Sequence, residues 1–144
     1  MPNLNFFQIS KIAIIMILAL FLPAIASETG SNIKKNWGVE IENVRLSAAG
    51  YMLDFRYKVI DPDKAAPLQD FKVKPYLIDE ASGAKLIVPS PPKVGALRQR
   101  VKSGKPIPGR TYFIIFSNPG RFVRHDNKVT IVIGDFKVDH LVVK

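Results

Sequence analysis

Two histidines, His125 and His140, are the side chains of this 144-residue chain best suited to acid–base chemistry near neutral pH. They lie fifteen residues apart, no acidic cluster accompanies both, and the chain contains no cysteine. Sites for zinc, copper or haem use His, Cys or Met ligands at short spacings. The sequence therefore predicts no metal, no cofactor and no enzymatic activity. The alternative is a small hydrolase in which Ser117, at the end of a predicted strand, lies near His125.

Three other fragments resemble catalytic or metal-binding motifs. Ser90-Pro91-Pro92-Lys93 fits S-x-x-K, and Lys102-Ser103-Gly104 resembles K-T-G. S-x-x-K requires a helical turn, which consecutive prolines disfavour, and the accompanying S-D-N element is absent. Asp61-Pro62-Asp63 with Asp70 fits no calcium loop and is typical of a turn. All three are interpreted as matches without chemistry.

Positive charge is the feature that stands out. Segment 81–125 has nine lysines and arginines and no acid, whereas residues 27–80 have eight cations and nine acids, and 126–144 have three of each. A charge asymmetry of this kind can focus a positive field on one part of the surface. Solubility and protection of strand edges is the alternative explanation. The candidate binding residues on this basic face are Lys93, Arg98, Arg100, Lys102, Lys105, Arg110, Arg121 and Arg124.

Strand-like alternation indicates the elements that position these charges. It is clearest over residues 51–59, where every odd position is apolar. In the preceding strand the apolar positions change parity near Glu42-Asn43, which predicts a β-bulge. Ser47–Gly50 then predicts a hairpin turn in which Gly50 takes a positive φ.

The rest of the chain continues in strands, without a competing helical period. Phe71–Ile78 is predicted as an edge strand because Lys72, Lys74 and Pro75 suit an unpaired edge. Segment 111–116 is apolar on both faces and is therefore predicted to be central. The other predicted strands are 85–88, 129–133 and 136–143. The pattern predicts an all-β protein, a single immunoglobulin-like β-sandwich of about seven to eight antiparallel strands over residues 37–144.

The basic stretch itself also alternates. Leu97 and Val101 are apolar, while Arg98, Arg100 and Lys102 occupy the positions between them and Gln99. In an extended segment, residues two apart point to the same side. We therefore expect these three cations to form an ordered row on one face of a strand.

The N-terminus predicts a secretory signal peptide over residues 1–26. Lys11 precedes an apolar run from Ile12 to Leu22, and Ala24-Ile25-Ala26 fits an A-x-A cleavage pattern. Cleavage between Ala26 and Ser27 would export the protein to the periplasm or beyond. The alternative is an uncleaved N-terminal anchor, although the apolar stretch is shorter than the about 20 residues of a spanning helix. Residues 27–36 are predicted to be a flexible leader.

Four stretches of the chain resemble segments of a group of small exported bacterial proteins. They are LSAAGYMLDFRYKVIDPDKAAPL, KPYLIDEASGAKL, KVGALRQR and GRTYFIIFSNPGR. The resemblance covers nearly the whole chain from Trp37 to about Val143. It implies export and a single compact domain, and it brings no activity and no ligand.

These observations predict a non-enzymatic envelope binding or accessory module that docks an acidic partner through residues 81–125. The expected partner is an acidic envelope protein or a polyanionic surface. Nucleic acid is not expected, because the cations lack regularly interleaved aromatic residues, and membrane contact is expected to be at most peripheral. The alternative is a structural or assembly role through strand addition at a sheet edge, where the last strand runs almost to Lys144. The sequence leaves the oligomeric state open.

Overall fold

Seven β-strands in two antiparallel sheets form the framework of the described chain, a sandwich-like all-β arrangement with few helices. The computed structural model describes residues 28–144, and the predicted signal peptide over residues 1–26 lies outside them. The strands are β1 Val39–Ser47, β2 Met52–Val59, β3 Tyr76–Asp79, β4 Lys85–Ile87, β5 Thr111–Ser117, β6 Lys128–Ile133 and β7 Phe136–Val142. The helices are α1 Glu28–Trp37 and α2 Pro62–Ala65, with 3-10 turns at Ala48–Gly50, Ala66–Gln69 and Pro119–Arg121. One sheet has the order β1-β2-β5 and the other β4-β3-β6-β7.

The hairpin of β1 and β2 follows the sequence prediction closely. The two strands pair antiparallel, and the register shifts between Ile41 and Asn43, which confirms the predicted bulge. Gly50 has a φ of 88°, so the turn uses the left-handed conformation that glycine adopts without a steric penalty. Tyr51 differs from the odd-numbered residues that follow it, because its side chain is 54% exposed and lies outside the strand.

The core is one cluster of apolar side chains contributed by both sheets. Phe55 and Phe116 come from the three-stranded sheet, and Leu77 and Ile131 come from the four-stranded sheet. All four are fully buried. Burial of a large apolar side chain contributes roughly 1.5–3 kcal/mol, so packing of the two inner faces supplies the main stabilisation in a chain without cysteine.

A helix occupies the segment that the sequence predicts to be a flexible leader. Helix α1 covers Glu28–Trp37, and Ile33 within it is only 6% exposed. Trp37, four residues on, meets Phe136 edge to face with the ring centroids 5.4 Å apart. Two apolar positions one turn apart are enough to dock a polar helix on the sheet, but they are too few to predict it from periodicity.

The predicted edge strand over Phe71–Ile78 also differs from the structure. Only Tyr76–Asp79 forms a strand, and this strand, β3, lies inside its sheet between β4 and β6. Pro75 has no N–H to donate to a ladder, so pairing begins after it. Lys72 and Lys74 therefore lie in the preceding loop rather than on a sheet edge.

β5 is an outer strand of the three-stranded sheet, so the prediction that segment 111–116 is central is wrong, and irregular segments cover both edges of this sheet. At β1, the N–H of Leu46 donates to the carbonyl of Lys144 at 2.9 Å, and the N–H of Lys144 donates to the carbonyl of Val44 at 2.9 Å. At β5, the N–H groups of Ile115 and Gln99 donate to the carbonyls of Leu97 and Phe113, each at 2.9 Å. The outer strands of the other sheet are β4 and β7.

Candidate binding sites

The cations of segment 81–125 lie in two separate places. Lys93, Arg98, Arg100, Lys102, Lys105 and Arg110 belong to the connection between β4 and β5, whereas Arg121 and Arg124 belong to the connection between β5 and β6. Arg98 lines a concave region beside β4, whereas Arg121 and Arg124 line a different one at the β1–β2 turn. The predicted set therefore does not come together on a single face.

Arg98 and Arg100 do point to the same side, as the alternation predicts, but a loop covers that side. Residues 97–99 pair with β5 through a single bridge at Arg98 rather than through a full strand. The half-buried Arg98 guanidinium donates to the carbonyl oxygens of Leu68 at 2.6 Å, Val73 at 2.8 Å and Asp70 at 3.4 Å. Burial is the main influence on the pKa of Arg98 and lowers it from its ordinary value. Arg98 thus holds the 68–73 loop in place through these hydrogen bonds.

The other cations of this segment contact aromatic rings more often than carboxylates. Arg100 lies over the ring of Phe71, and Lys85 lies over Tyr76 with its ammonium 3.7 Å from the ring centroid. Arg110 and Arg121 approach Tyr112 and Tyr51 at 5.7 and 5.6 Å. Such contacts hold a cation in place without cancelling its charge.

Carboxylate partners are correspondingly scarce in segment 81–125. Within residues 28–144, Lys105 is the one cation of this segment that forms a salt bridge, with Asp63. Elsewhere the pattern is different, because Arg45 and Arg56 both bond the buried Asp54, at 3.1 and 3.0 Å. The positive charge of segment 81–125 is therefore left largely uncompensated.

Arg121 and Arg124 border one depression at the end of the sheets where β1 turns into β2. Its volume is about 520 Å³. The remaining lining residues are Leu46, Ala49, Gly50, Gly120 and Val123. Both arginines are exposed, and no acidic residue lines the depression. We call this region the turn-end site.

The backbone around the turn-end site is held in an unusual conformation. Ala48, Ala49 and Arg121 have φ values of 49°, 55° and 54°, which non-glycine residues adopt only at a cost of order 1–3 kcal/mol each. The fully buried Asn118 holds the two turns together. Its amide nitrogen donates to the carbonyls of Gly50 and Val123 at 2.8 Å, and its oxygen accepts the Val123 N–H at 2.9 Å. Strained backbone that persists in this way is frequent at binding sites.

A second concave region lies beside β4 and has a more apolar surface. This β4 groove has a volume of about 450 Å³. Its lining residues are Phe71, Val73, Lys74, Pro75, Tyr76, Lys85, Ile87, Val88, Ser90, Ala96 and Arg98. Lys74 was absent from the predicted binding set because it precedes segment 81–125. Lys85 belongs to the segment but is absent from the predicted binding set. The alternation of β4 places Lys85 on the same exposed face as Ile87, and this pattern could have identified it.

The two histidines lie in separate contacts. The Nδ1 atom of His125 is 3.0 Å from the carboxylate of Asp126, and that of His140 is 3.0 Å from the carboxylate of Glu80. Partial burial works to raise the pKa of Glu80, but hydrogen bonds from His140 and Thr130 lower it overall. No hydrogen bond joins Ser117 to His125 in the described range. Across residues 28–144, no group of three or more His, Cys, Asp or Glu side chains could hold a metal ion.

No helix within residues 28–144 is long and apolar enough to cross a membrane. Comparison of the chain with protein-family models, with curated protein sequences and with solved structures finds no match.

Proposed function

We propose that the protein is a non-enzymatic binding module that docks an acidic partner through the turn-end site. The observation that carries the proposal is the pair of exposed arginines, Arg121 and Arg124, on strained turns that Asn118 holds together, beside a depression whose lining includes no acidic residue. Guanidinium groups in fixed positions are well suited to carboxylates, because their planar fork donates two parallel hydrogen bonds.

The surroundings of the two arginines support a protein partner. Tyr51 is 54% exposed and Phe122 is 50% exposed, and the Arg121 guanidinium lies 5.6 Å from the Tyr51 ring. Arginine and large aromatic residues are enriched where protein interfaces concentrate their binding energy. An acidic surface that also offers an apolar contact fits this combination better than a purely polyanionic glycan does.

The predicted signal peptide supports an exported location, so we place the partner in the bacterial envelope. An acidic envelope protein is the proposed partner, and peripheral contact with anionic lipid headgroups is the weaker form of the same electrostatic attraction.

We also propose that the sandwich-like fold is immunoglobulin-like. The strand order β1-β2-β5 facing β4-β3-β6-β7 supports this, since it corresponds to A-B-E facing C′-C-F-G when β4 is taken as C′. An experimental structure tests that assignment.

The test is crosslinked capture of partners from native envelopes at low and high salt. The Arg121→Glu/Arg124→Glu variant reverses both charges at the turn-end site. Its matched control is Lys93→Glu/Lys102→Glu, which changes the net charge equally at two exposed positions without an ion pair or ring contact in the described chain. Arg98 is avoided because it fastens a loop.

We expect a partner that the wild type and the control retain, that the Arg121/Arg124 variant loses, and that high salt releases. Loss in both variants would show that net charge alone attracts the partner and would contradict a specific site. Capture that is equal in all three proteins would also overturn the proposal.

A second candidate function is assembly by strand addition at β7, which is an outer strand of its sheet. The N–H of Val143 donates to the carbonyl of Asn127, the residue before β6. Because N–H groups alternate in direction along a strand, the N–H of Val142 points outward. A bulge at His140, whose N–H donates to Glu80 at 2.7 Å, interrupts this edge. Val142→Pro removes the outward N–H and should abolish capture that salt does not affect. Deletion of 141–144 is less suitable, because it removes the buried Val143.

A further inference from the structure

We propose that the β4 groove binds an amphipathic carboxylate, a molecule with one carboxylate group and an extended apolar chain. The groove lies on the β4 side of the fold, and its lining includes neither of the arginines of the turn-end site. The inference is therefore independent of the acidic partner proposed above.

The apolar part of the groove is already formed and partly open to solvent. Phe71 is 46% exposed and Ile87 is 62% exposed, while Val73, Pro75 and Val88 complete the apolar lining. Large apolar side chains with this exposure contribute little to the core, so their clustering beside one groove needs another explanation. A volume of about 450 Å³ falls within the range of small-molecule sites.

The charge of the groove has one sign. Lys74, Lys85 and Arg98 line it, and no acidic side chain does. Arg100, placed over Phe71, adds a fourth cation next to the lining. Three of these four cations come from the part of the chain that has no acids at all. An anion in the groove would therefore meet a positive field without a competing carboxylate on the groove surface.

The half-buried Arg98 guanidinium is a positive charge held in a fixed position in the groove. Its three hydrogen-bond acceptors are neutral carbonyl oxygens, and the nearby Asp70 carboxylate acts on the guanidinium without forming a salt bridge with it. A guanidinium has five N–H donors, and these bonds use two on Nη1 and one on Nη2. The Nε–H and one Nη2–H have no partner in the described part of the chain. These two donors remain for the oxygens of a ligand.

The combination selects an amphiphile over simpler ligands. A small inorganic anion would leave Phe71 and Ile87 exposed, and a neutral lipid would leave the cations unpaired. Lys85 strengthens the choice, because its ammonium lies over the Tyr76 ring and both residues line the groove. A carboxylate headgroup near Arg98 and Lys85 would leave the chain of the ligand to cover Phe71 and Ile87.

The test is titration of the purified protein with dodecanoate, followed by amide chemical shifts. Acetate and dodecyltrimethylammonium are the matched probes that lack the chain or reverse the charge. We expect dodecanoate to shift amides of residues 71–76 and 85–98 and to bind at least tenfold more tightly than either probe. The Lys74→Met/Lys85→Met variant should weaken dodecanoate binding about tenfold, and Ile87→Ser should weaken it several-fold.

Two controls keep the interpretation specific. Lys93→Met removes an exposed cation outside the groove lining, and Arg121→Glu/Arg124→Glu disables the proposed docking site, so both should bind dodecanoate like the wild type. The substituted side chains are exposed, so folding should be preserved, and the dispersion of the amide spectrum reports it. Equal affinity for dodecyltrimethylammonium, unchanged binding by the Lys74/Lys85 variant, or shifts confined to residues outside the groove would each overturn the proposal.

Discussion

The β4 groove and the turn-end site are both held by one side chain that makes three hydrogen bonds to backbone groups, but the two side chains differ in charge. In the groove the side chain is Arg98, which bonds the carbonyls of three loop residues. At the turn end it is the neutral Asn118, which bonds two carbonyls and one N–H. At the turn end an amide makes these bonds, and neither Arg121 nor Arg124 makes a side-chain hydrogen bond within residues 28–144.

This difference shows why counting cations does not locate a docking surface. A lysine or arginine contributes to binding a large partner only if its charge is accessible and is not needed to hold the fold. Arg98 fails the second condition, and Lys105 is already paired with Asp63. Arg121 and Arg124 are both exposed, and neither forms a salt bridge within residues 28–144.

Asn118→Asp should have the largest effect on stability. A carboxylate cannot donate to the carbonyls of Gly50 and Val123, and it would be an unpaired charge at a fully buried position. We expect the free energy of unfolding to fall by about 3–5 kcal/mol, measured by urea denaturation. Asn36→Asp adds the same charge at an exposed position of α1 and should change it by less than about 0.5 kcal/mol. A small effect at Asn118 would mean that the turns do not depend on this side chain.

Arg98→Met should have the next largest effect, and Arg100→Met provides the matched comparison. Removal of the Arg98 guanidinium leaves the carbonyls of Leu68, Val73 and Asp70 without their donor, at an expected cost of about 2–3 kcal/mol. Arg100 loses only its contact with Phe71, worth about 0.5–1 kcal/mol. Both variants lose one positive charge, so a difference in denaturation midpoint isolates the hydrogen bonds. Equal midpoints would contradict a structural role for Arg98.

Much of the fold could be predicted because alternation and turn chemistry are local properties. The bulge near Asn43, the hairpin turn at Gly50 and the succession of strands all follow from residues close together in the chain. The position of β3 inside its sheet cannot be predicted locally, because it depends on which strands pair with β3 and not on the lysines that precede it. Helix α1 was missed for a related reason: Ile33 and Trp37 give it one apolar turn, and the surface that receives them is formed by distant residues.

The binding regions were predictable only in part, for the same physical reason. Alternation correctly placed Arg98 and Arg100 on one side of the chain. The loop that covers this side contacts Arg98 across separations of 25 to 30 residues, which no local pattern specifies. Arg121 and Arg124 were identified from the charge count, but the turn-end site that they line depends on the contact between Asn118 and Gly50, which are 68 positions apart.

Titration of Tyr57, whose pKa Arg98 also influences, should make the stability of the fold depend on pH in the alkaline range. Burial is the main influence on the pKa of Tyr57 and raises it to about 12, against the lowering effects of Arg98 and Gln69. The unfolded chain therefore loses this proton near pH 10 while the folded chain keeps it, so stability should fall as the pH rises from about 10 to 12. Tyr57→Phe removes this contribution, and its denaturation midpoint should decline less over that range than the wild-type midpoint. Parallel declines would show that the Tyr57 hydroxyl does not titrate differently in the folded state.

The smallest effect on stability should come from Arg121→Met/Arg124→Met, although these residues carry the proposed docking. Both side chains are exposed and, within residues 28–144, neither bonds a carboxylate, so the free energy of unfolding should change by less than about 0.5 kcal/mol. Removal of Arg121 from the positive-φ position also replaces one strained non-glycine residue with another, which leaves the backbone cost unchanged. Partner capture should nevertheless fall, because the charges that the partner contacts are gone. If the double variant instead unfolds as readily as Arg98→Met, the arginines support the turns themselves, and the contrast between the two regions would be lost.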